Sequence, residues 1–353
     1  MQNGLSRRGF ARAAAATTVT AVSVTGLSSF AILRHARGED ALHLRCSLDT
    51  APSHVRNVSI VDYLSKVEKA TGGKVTGEVF HSGQLFADLN VSKALLQGQV
   101  DMAAPGAWTQ TGLVSDCDFV QLPVFYGQKI DVTHAASDGK PGAMIVSQLE
   151  AKLRTKVLGN FIDLGFQNWY TTKKPVNSLA DLKGLKIRSP GGAGISWRIN
   201  LVGGIANTTA WPNVPLALSQ GTFDGFVSTD ESCATAKLWE AGVKYSFADH
   251  QYVGQYIPMI SGAFWSKLTP DEQKIMRDIW AQNIATYRTN AFASQQRARQ
   301  TMTDAGVTFV DPSAEQAAAA RKMMETDVAS LIRDAKLSSD IVKAADDAAA
   351  KVG

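Results

Sequence analysis

Arg188 closes the run Leu185-Lys186-Ile187-Arg188 and is followed at once by Ser189-Pro190-Gly191-Gly192. The alternation predicts a short strand, and the Pro and Gly residues after it predict a turn. The guanidinium therefore falls where the carboxyl edge of an open α/β sheet meets a cleft, the usual ligand position in such sheets. A planar fork of N–H donors there suits the bidentate capture of a carboxylate. An arbitrary arginine would more simply pair with a surface acid, but this position argues for a ligand. Trp108, Gln167, Asn168, Trp211, Ser228 and Asp230 also fall at or just beyond predicted strand ends and complete the candidate set. The turn at 191–194 opens a predicted helix over 195–202, whose N-terminus is a further candidate anion contact.

Catalytic chemistry has less support. The six histidines (35, 43, 54, 81, 134 and 250) include no pair at i,i+3 or i,i+4 to seat a metal. No G-x-S-x-G elbow occurs. Trp197 stands where a dinucleotide fingerprint needs its third glycine. Cys46, Cys117 and Cys233 are few and scattered, and are expected as small buried residues without a bridge. No cofactor is expected, with a ligand-associated cation such as calcium or sodium left open. An enzyme on a similar frame stays as the rival reading, and a ligand-sensing subunit for a receptor as a third.

The elements that must position these residues repeat themselves. Ala94-Leu95-Leu96-Gln97-Gly98-Gln99-Val100-Asp101 returns as Ala217-Leu218-Ser219-Gln220-Gly221-Thr222-Phe223-Asp224. Each copy reads as a helix end, a glycine able to adopt the left-handed conformation, and the start of a strand. Two α/β domains of related plan, with one cation near their junction, describe a clamshell for a small anion. Strands are predicted at 42–46, 74–80, 100–104, 158–164 and 185–188, with residues 165–170 as a crossover. Helices are predicted from a Ser53 cap to Ala70 and over 90–97. Ser178 with Asp181 caps a single turn that Gly184 ends. Thr269-Pro270-Asp271-Glu272 opens a helix to about Asp304. Its roughly 35 residues would span about 50 Å, enough to brace both domains. Ser313 caps a last helical stretch through Ile332.

At 353 residues and 45% hydrophobic, the chain has room for two ordinary domains. Five arginines and no acid fall in the first 38 residues, so the rest carries a formal charge of −1 against +4 for the whole. That near-neutral remainder offers no basic face to nucleic acid. Ser6-Arg7-Arg8-Gly9-Phe10 followed by an uncharged stretch over 13–33 predicts a twin-arginine export signal, cut between Ser29 and Asp40. The protein is accordingly expected in the periplasm. Domain I is placed at 39–164 plus about 249–288, and domain II at 165–248 plus about 289–353.

These motifs together resemble a known family. Lys186-Ile187-Arg188, Asp181-Leu182-Lys183-Gly184, Gln97-Gly98-Gln99-Val100-Asp101 and Gln220-Gly221-Thr222-Phe223-Asp224-Gly225 are similar, in order and spacing, to the solute-binding subunits of TRAP (tripartite ATP-independent periplasmic) transporters, the DctP type. Ala70-Thr71-Gly72-Gly73-Lys74-Val75 and the Thr269-Pro270 helix start belong to the same pattern. The resemblance implies a periplasmic binding protein-like clamshell of two α/β domains, joined by crossing strands and a long helix, closing on a small organic acid. It further implies delivery of that acid to the TRAP membrane permease subunits. Position by position, the family's carboxylate-gripping arginine falls on Arg188 and its pocket aromatic on Trp211. A second cationic position of sialic-acid-binding relatives falls on Gln167, an acidic one on Gly106, and a common asparagine on Ser228. These departures argue against sialic acid and for a rebuilt far end of the pocket, with Asn168, Trp108 and Asp230 as its residues.

Overall fold

Alternating apolar residues and well-capped helices build a mixed α/β frame, and the computed structural model describes residues 41–352 of it. The export signal expected at 1–38 lies outside the described residues. The chain begins with β1 (Leu42–Ser47), α1 (Val55–Ala70), β2 (Val75–Phe80), α2 (Asp88–Leu96) and β3 (Met102–Ala103). Short 3₁₀ turns occupy much of 107–125, and α3 (Ile130–Ser137), α4 (Lys140–Leu153) and β4 (Thr155–Val157) follow. Then come β5 (Ile162–Phe166), β6 (Asn168–Thr171), β7 (Lys186–Ser189), α5 (Ala193–Leu201) and β8 (Ile205–Thr208). Next are α6 (Val214–Ser219), β9 (Gly225–Ser228), α7 (Asp230–Thr235), β10 (Tyr245–Phe247), β11 (Val253–Tyr256) and β12 (Met259–Ser261). The last third holds α8 (Gly262–Trp265), α9 (Pro270–Asp304), β13 (Thr308–Val310), α10 (Ala314–Thr326), α11 (Val328–Ala335) and α12 (Ser339–Ala349).

Two sheets result. The first runs β2-β1-β3-β12-β4 and the second β13-β10-β6-β9-β7-β8. Neither is built from one continuous piece of chain. Strand β12 returns to pair antiparallel with both β3 and β4 of the first sheet, and β13 closes the edge of the second. Between them β5 and β11 form a separate antiparallel ladder, irregular at Gly254/Gln255. This is a two-domain clamshell with crossing strands. Both copies of the repeated octet do what their sequence implies. Gly98 (φ +67°) follows α2 before β3, and Gly221 (φ +66°) follows α6 before β9.

Helix α9 matches the reading of its first four residues. Thr269 and Glu272 form a reciprocal capping box with Pro270 at the first helical position, and the helix runs for 35 residues. Its buried positions Met276, Trp280, Ile284, Tyr287, Ala291, Ala298 and Met302 make one stripe at helical spacing. The Tyr287 hydroxyl donates to Asp62 of α1 at 2.7 Å, and the Gln295 amide receives the Glu231 N–H of α7 at 2.9 Å. One rigid element is thus fastened to helices associated with both sheets.

Several boundaries differ from the sequence reading. His54, not Ser53, caps α1, because its Nδ1 accepts the Arg56 N–H at 3.2 Å. The strand expected over 158–164 begins only at Ile162, as β5, and residues 158–161 are a bend after β4. Trp280 presses on Gly159, 3.0 Å from where a Cβ would sit, and donates its Nε1 to the Asn160 carbonyl at 2.9 Å. The crossover expected over 165–170 is largely strand, the end of β5 and the start of β6. The last helical stretch breaks at Asp327, whose carboxylate takes the Trp197 Nε1–H at 2.8 Å, and α12 follows where no helix was read. Cys46, Cys117 and Cys233 are buried free thiols.

Candidate functional site

Strand ends gather around one small cavity. Asp49 and Thr50 follow β1, Trp108 and Thr109 follow β3, Arg188 and Pro190 lie at the end of β7, and Ser228 with Ser232 lies at the end of β9. All are carboxyl ends, where an open α/β sheet presents turns and helix starts to a ligand. Asp88, Leu89, Leu164, Trp211 and Tyr256 complete the wall of a cavity of about 30 Å³, room for about two water molecules.

Arg188 is the one cation lining it among the described residues. Its guanidinium is buried, 2% exposed. Nε donates to the Thr209 carbonyl at 2.8 Å and Nη1 to the Val227 carbonyl at 3.3 Å. These bonds fix the plane of the fork, and Trp211 covers it with its ring centroid 5.6 Å away. Among the described residues it makes no ion pair, and its Nη2 makes no protein hydrogen bond. Desolvation lowers its pKa to about 10 while Asp49, the largest opposing influence, pulls it upward. It remains a cation at neutral pH. A buried cation without a partner is unfavourable until an anion joins it.

A second buried arginine behaves in the opposite way. Arg56 is saturated by Asp49 at 2.7 Å, Asp88 at 2.7 Å, the Thr50 hydroxyl at 2.9 Å and the Ala104 carbonyl at 3.0 Å. It also stacks on Tyr256, 4.0 Å from the ring centroid. Arg56 therefore organises two cavity-lining carboxylates and keeps no donor for a ligand.

Of the residues expected at the site, the structure brings Trp108, Arg188, Trp211 and Ser228 together. It places three elsewhere. Gln167 does not line the cavity, and its Nε2 and the Trp108 indole both crowd Gly254. Register pairs Asn168 with Ser228, yet the Asn168 side-chain Oδ1 accepts the His250 N–H at 3.1 Å and the residue lines another cavity. Asp230 lines that same second cavity and accepts the Tyr170 hydroxyl. The helix N-terminus after Gly192 is also taken, because Asp118 receives the Gly194 N–H at 3.0 Å. The protein's own carboxylate occupies the place considered for a ligand anion. Burial pushes Asp118 up to about 7. Gly106 has a steric reason as well, since a Cβ there would lie 2.3 Å from the Trp108 ring.

The sequence reading missed Asp49, Asp88, Ser232 and Tyr256. Only Asp49 carried a local cue, directly beyond the first strand. Ser232 stands in a set that superficially suggests hydrolysis, with His54 Nε2 3.2 Å from its hydroxyl and 3.6 Å from Glu231. The tautomer rules this out. Nδ1 accepts a backbone N–H, so Nε2 carries the proton and cannot remove one from Ser232. Burial and Arg56 hold the His54 pKa well below its usual value, so the contact with Glu231 is not an ion pair. Among the described residues no three His, Cys, Asp or Glu side chains gather as a metal site.

Comparison with known proteins shows the family and the fold. Residues 49–334 match the DctP family, bacterial extracellular solute-binding protein family 7. The C4-dicarboxylate-binding periplasmic protein DctP of Rhodobacter capsulatus is 29% identical over 76% of this chain and 80% of its own. The sugar acid binding protein DctPAm of Advenella mimigardefordensis, solved with galactonate, superposes with a TM-score of 0.83. It is 21% identical, covering 89% of this chain and 99% of its own. A TRAP periplasmic solute-binding protein of Shewanella oneidensis, solved with succinate, gives 0.80 at 21% identity, covering 88% and 99%. At that identity the two structures show the shared fold.

Proposed function

Because the chain belongs to the DctP family of extracellular solute-binding proteins, the type that serves TRAP transporters, we propose that it captures a small organic acid by its carboxylate and hands it to a TRAP membrane permease. One observation carries the reading. Arg188 is a buried, oriented and unpaired guanidinium at the meeting point of four strand ends. A carboxylate arriving there gains two parallel charge-assisted bonds and relieves a desolvated charge. The role needs no cofactor and no catalytic group. Export by the twin-arginine route belongs to the same proposal, supported by Arg7 and Arg8 and the uncharged stretch behind them.

A cavity of about 30 Å³ is too small for an organic acid, so loading requires the two lobes to part and then close. The ladder of β5 and β11, irregular at Gly254/Gln255, is the natural hinge. We assign 39–164 and about 249–288 to the first lobe, and 165–248 with about 289–353 to the second. The membership of β12 in the first sheet and β13 in the second supports this division. The C-terminal helix α12 is its exception, reaching back to pack on α3 and α4. Closure follows from ligand only if the ligand touches both lobes in the closed state. Small-angle scattering on the mature protein tests this. Its radius of gyration should fall when a saturating acid, found by calorimetry, is added, and identical profiles with and without that acid would refute closure as the response.

A further inference from the structure

We propose that the acid this site accepts is a hydroxylated monocarboxylate, with a hydroxyl donor directed at Asp88 and no second carboxylate there. The inference rests on the reading of Arg188 above and concerns the other charged side chains of the same cavity. The charged side chains lining the cavity are Arg188, Asp49 and Asp88. Arg188 can satisfy one carboxylate. Among the described residues nothing else on the wall is cationic, and Arg56 behind it has committed its donors to Asp49, Asp88, Thr50 and the Ala104 carbonyl. A second ligand carboxylate would meet two protein carboxylates.

Hydrogen-bond accounting points the same way. Both oxygens of Asp49 are used, Oδ1 by Arg56 at 2.7 Å and Oδ2 by the Asp88 N–H at 3.0 Å. Asp88 Oδ2 accepts from Arg56 at 2.7 Å and from the Gly106 N–H at 3.1 Å. Asp88 Oδ1 is buried and accepts no hydrogen bond among the described residues. A buried carboxylate oxygen is rarely left so, and each exception calls for a reason. A ligand O–H supplies the missing donor, whereas a second carboxylate has none to give. Thr109, Ser228 and Ser232 add hydroxyls that can donate or accept, and Trp108 with Tyr256 offers apolar faces to a carbon chain. A protonated Asp88 would instead donate to a second carboxylate, and one arm of the test reads that outcome.

Calorimetry on the mature protein compares matched pairs: D-galactonate against hexanoate and 4-hydroxybutyrate against butyrate, with succinate as the dicarboxylate. At least one hydroxy acid should bind at least about tenfold tighter than its deoxygenated partner and than succinate, as expected where a buried polar group is left unpaired by the analogue. In Asp88→Asn the amide oxygen can keep Arg56 and Gly106 while its nitrogen replaces Oδ1, turning an acceptor into a donor. Hydroxy-acid affinity should then fall by about tenfold or more while succinate gains relative to it. The wild-type comparison stands alone if that variant does not fold. Succinate binding tighter than every hydroxy acid, or no binding of any hydroxy acid, overturns the inference. If succinate wins and Arg188→Ala abolishes its binding, the carboxylate-capture reading survives and only this inference fails.

Discussion

Removing the Arg188 guanidinium is the most direct perturbation, and its size follows from the surroundings of that side chain. Two of its N–H groups belong to Thr209 and Val227 and set its orientation, so the remaining edge is what a carboxylate meets. The site is buried, so the lost pair is a desolvated one, and truncating one partner of such a pair costs about 2 to 5 kcal/mol. At 1.4 kcal/mol per decade, Arg188→Ala should weaken binding of the best acid by roughly thirty-fold to several thousand-fold. Arg188→Lys should recover only part of this. An ammonium cannot hold both carbonyls in the guanidinium plane and still present two parallel donors. Isothermal calorimetry reads the affinity, and a thermal melt of the unliganded variants separates affinity from folding, since two carbonyls are left unpaired at about 1 to 3 kcal/mol each. Desolvation lowers the pKa of this guanidinium, so wild-type affinity should fall as pH is raised through about 10. A folded Arg188→Ala protein with wild-type affinity would refute the assignment.

Two further outcomes are expected. Burial holds the Asp118 carboxyl near 7 against 3.8 when exposed, so the folded state binds its proton more tightly and this group's contribution to stability declines as pH rises from about 4 to 7. Asp118→Asn keeps an acceptor for the Gly194 N–H and removes that decline, so its stability relative to wild type should increase across the same window by up to about 4 kcal/mol; denaturant titrations showing a pH-independent difference would contradict the argument. Ser228 lines the cavity whereas Gln167, Asn168 and Asp230 do not, so Ser228→Ala should reorder a panel of acids by about 1 kcal/mol in relative affinity. Single substitutions at the other three should leave that order unchanged, and a reordering by Asn168→Ala would show that the second cavity takes part in recognition.

Local chemistry explains which features were legible in the sequence. The long helix could be read from Thr269 to Glu272 because a capping box is a contact between neighbours in sequence. Arg188 could be read because a strand followed by Ser-Pro-Gly-Gly fixes where its side chain emerges. Asp88 and Tyr256 could not. They reach the cavity through Arg56, which draws in one from α2 and stacks on the other at the end of β11. Gln167 and Asn168 misled because 165–170 was read as a crossover, and their side chains are directed by backbone pairing with Tyr252 and Ser228, 85 and 60 residues away in sequence, which local propensity does not encode. The break at Asp327 has a similar cause. Its run is helical by composition, and the interruption accompanies a bond from its carboxylate to Trp197.

The order in which the sheet neighbours are synthesised has a consequence for how the protein is made. Strand β3 reaches its place between β1 and β12, but β12 lies roughly 150 residues further along the chain, about 8 to 30 s of ribosomal elongation. Throughout that interval a nascent chain holds β1, β2 and α1 with one flank of β3 unpaired, an open edge of the kind that recruits other strands. Completion of the first lobe waits longer still, until α12 emerges to cover α3 and α4. The two lobes cannot therefore mature in sequence as independent beads, and a truncation anywhere before α12 leaves the earlier lobe unfinished. Such a chain gains from being held unfolded or shielded until its last residues are available, which makes the timing of chain release part of its physical design.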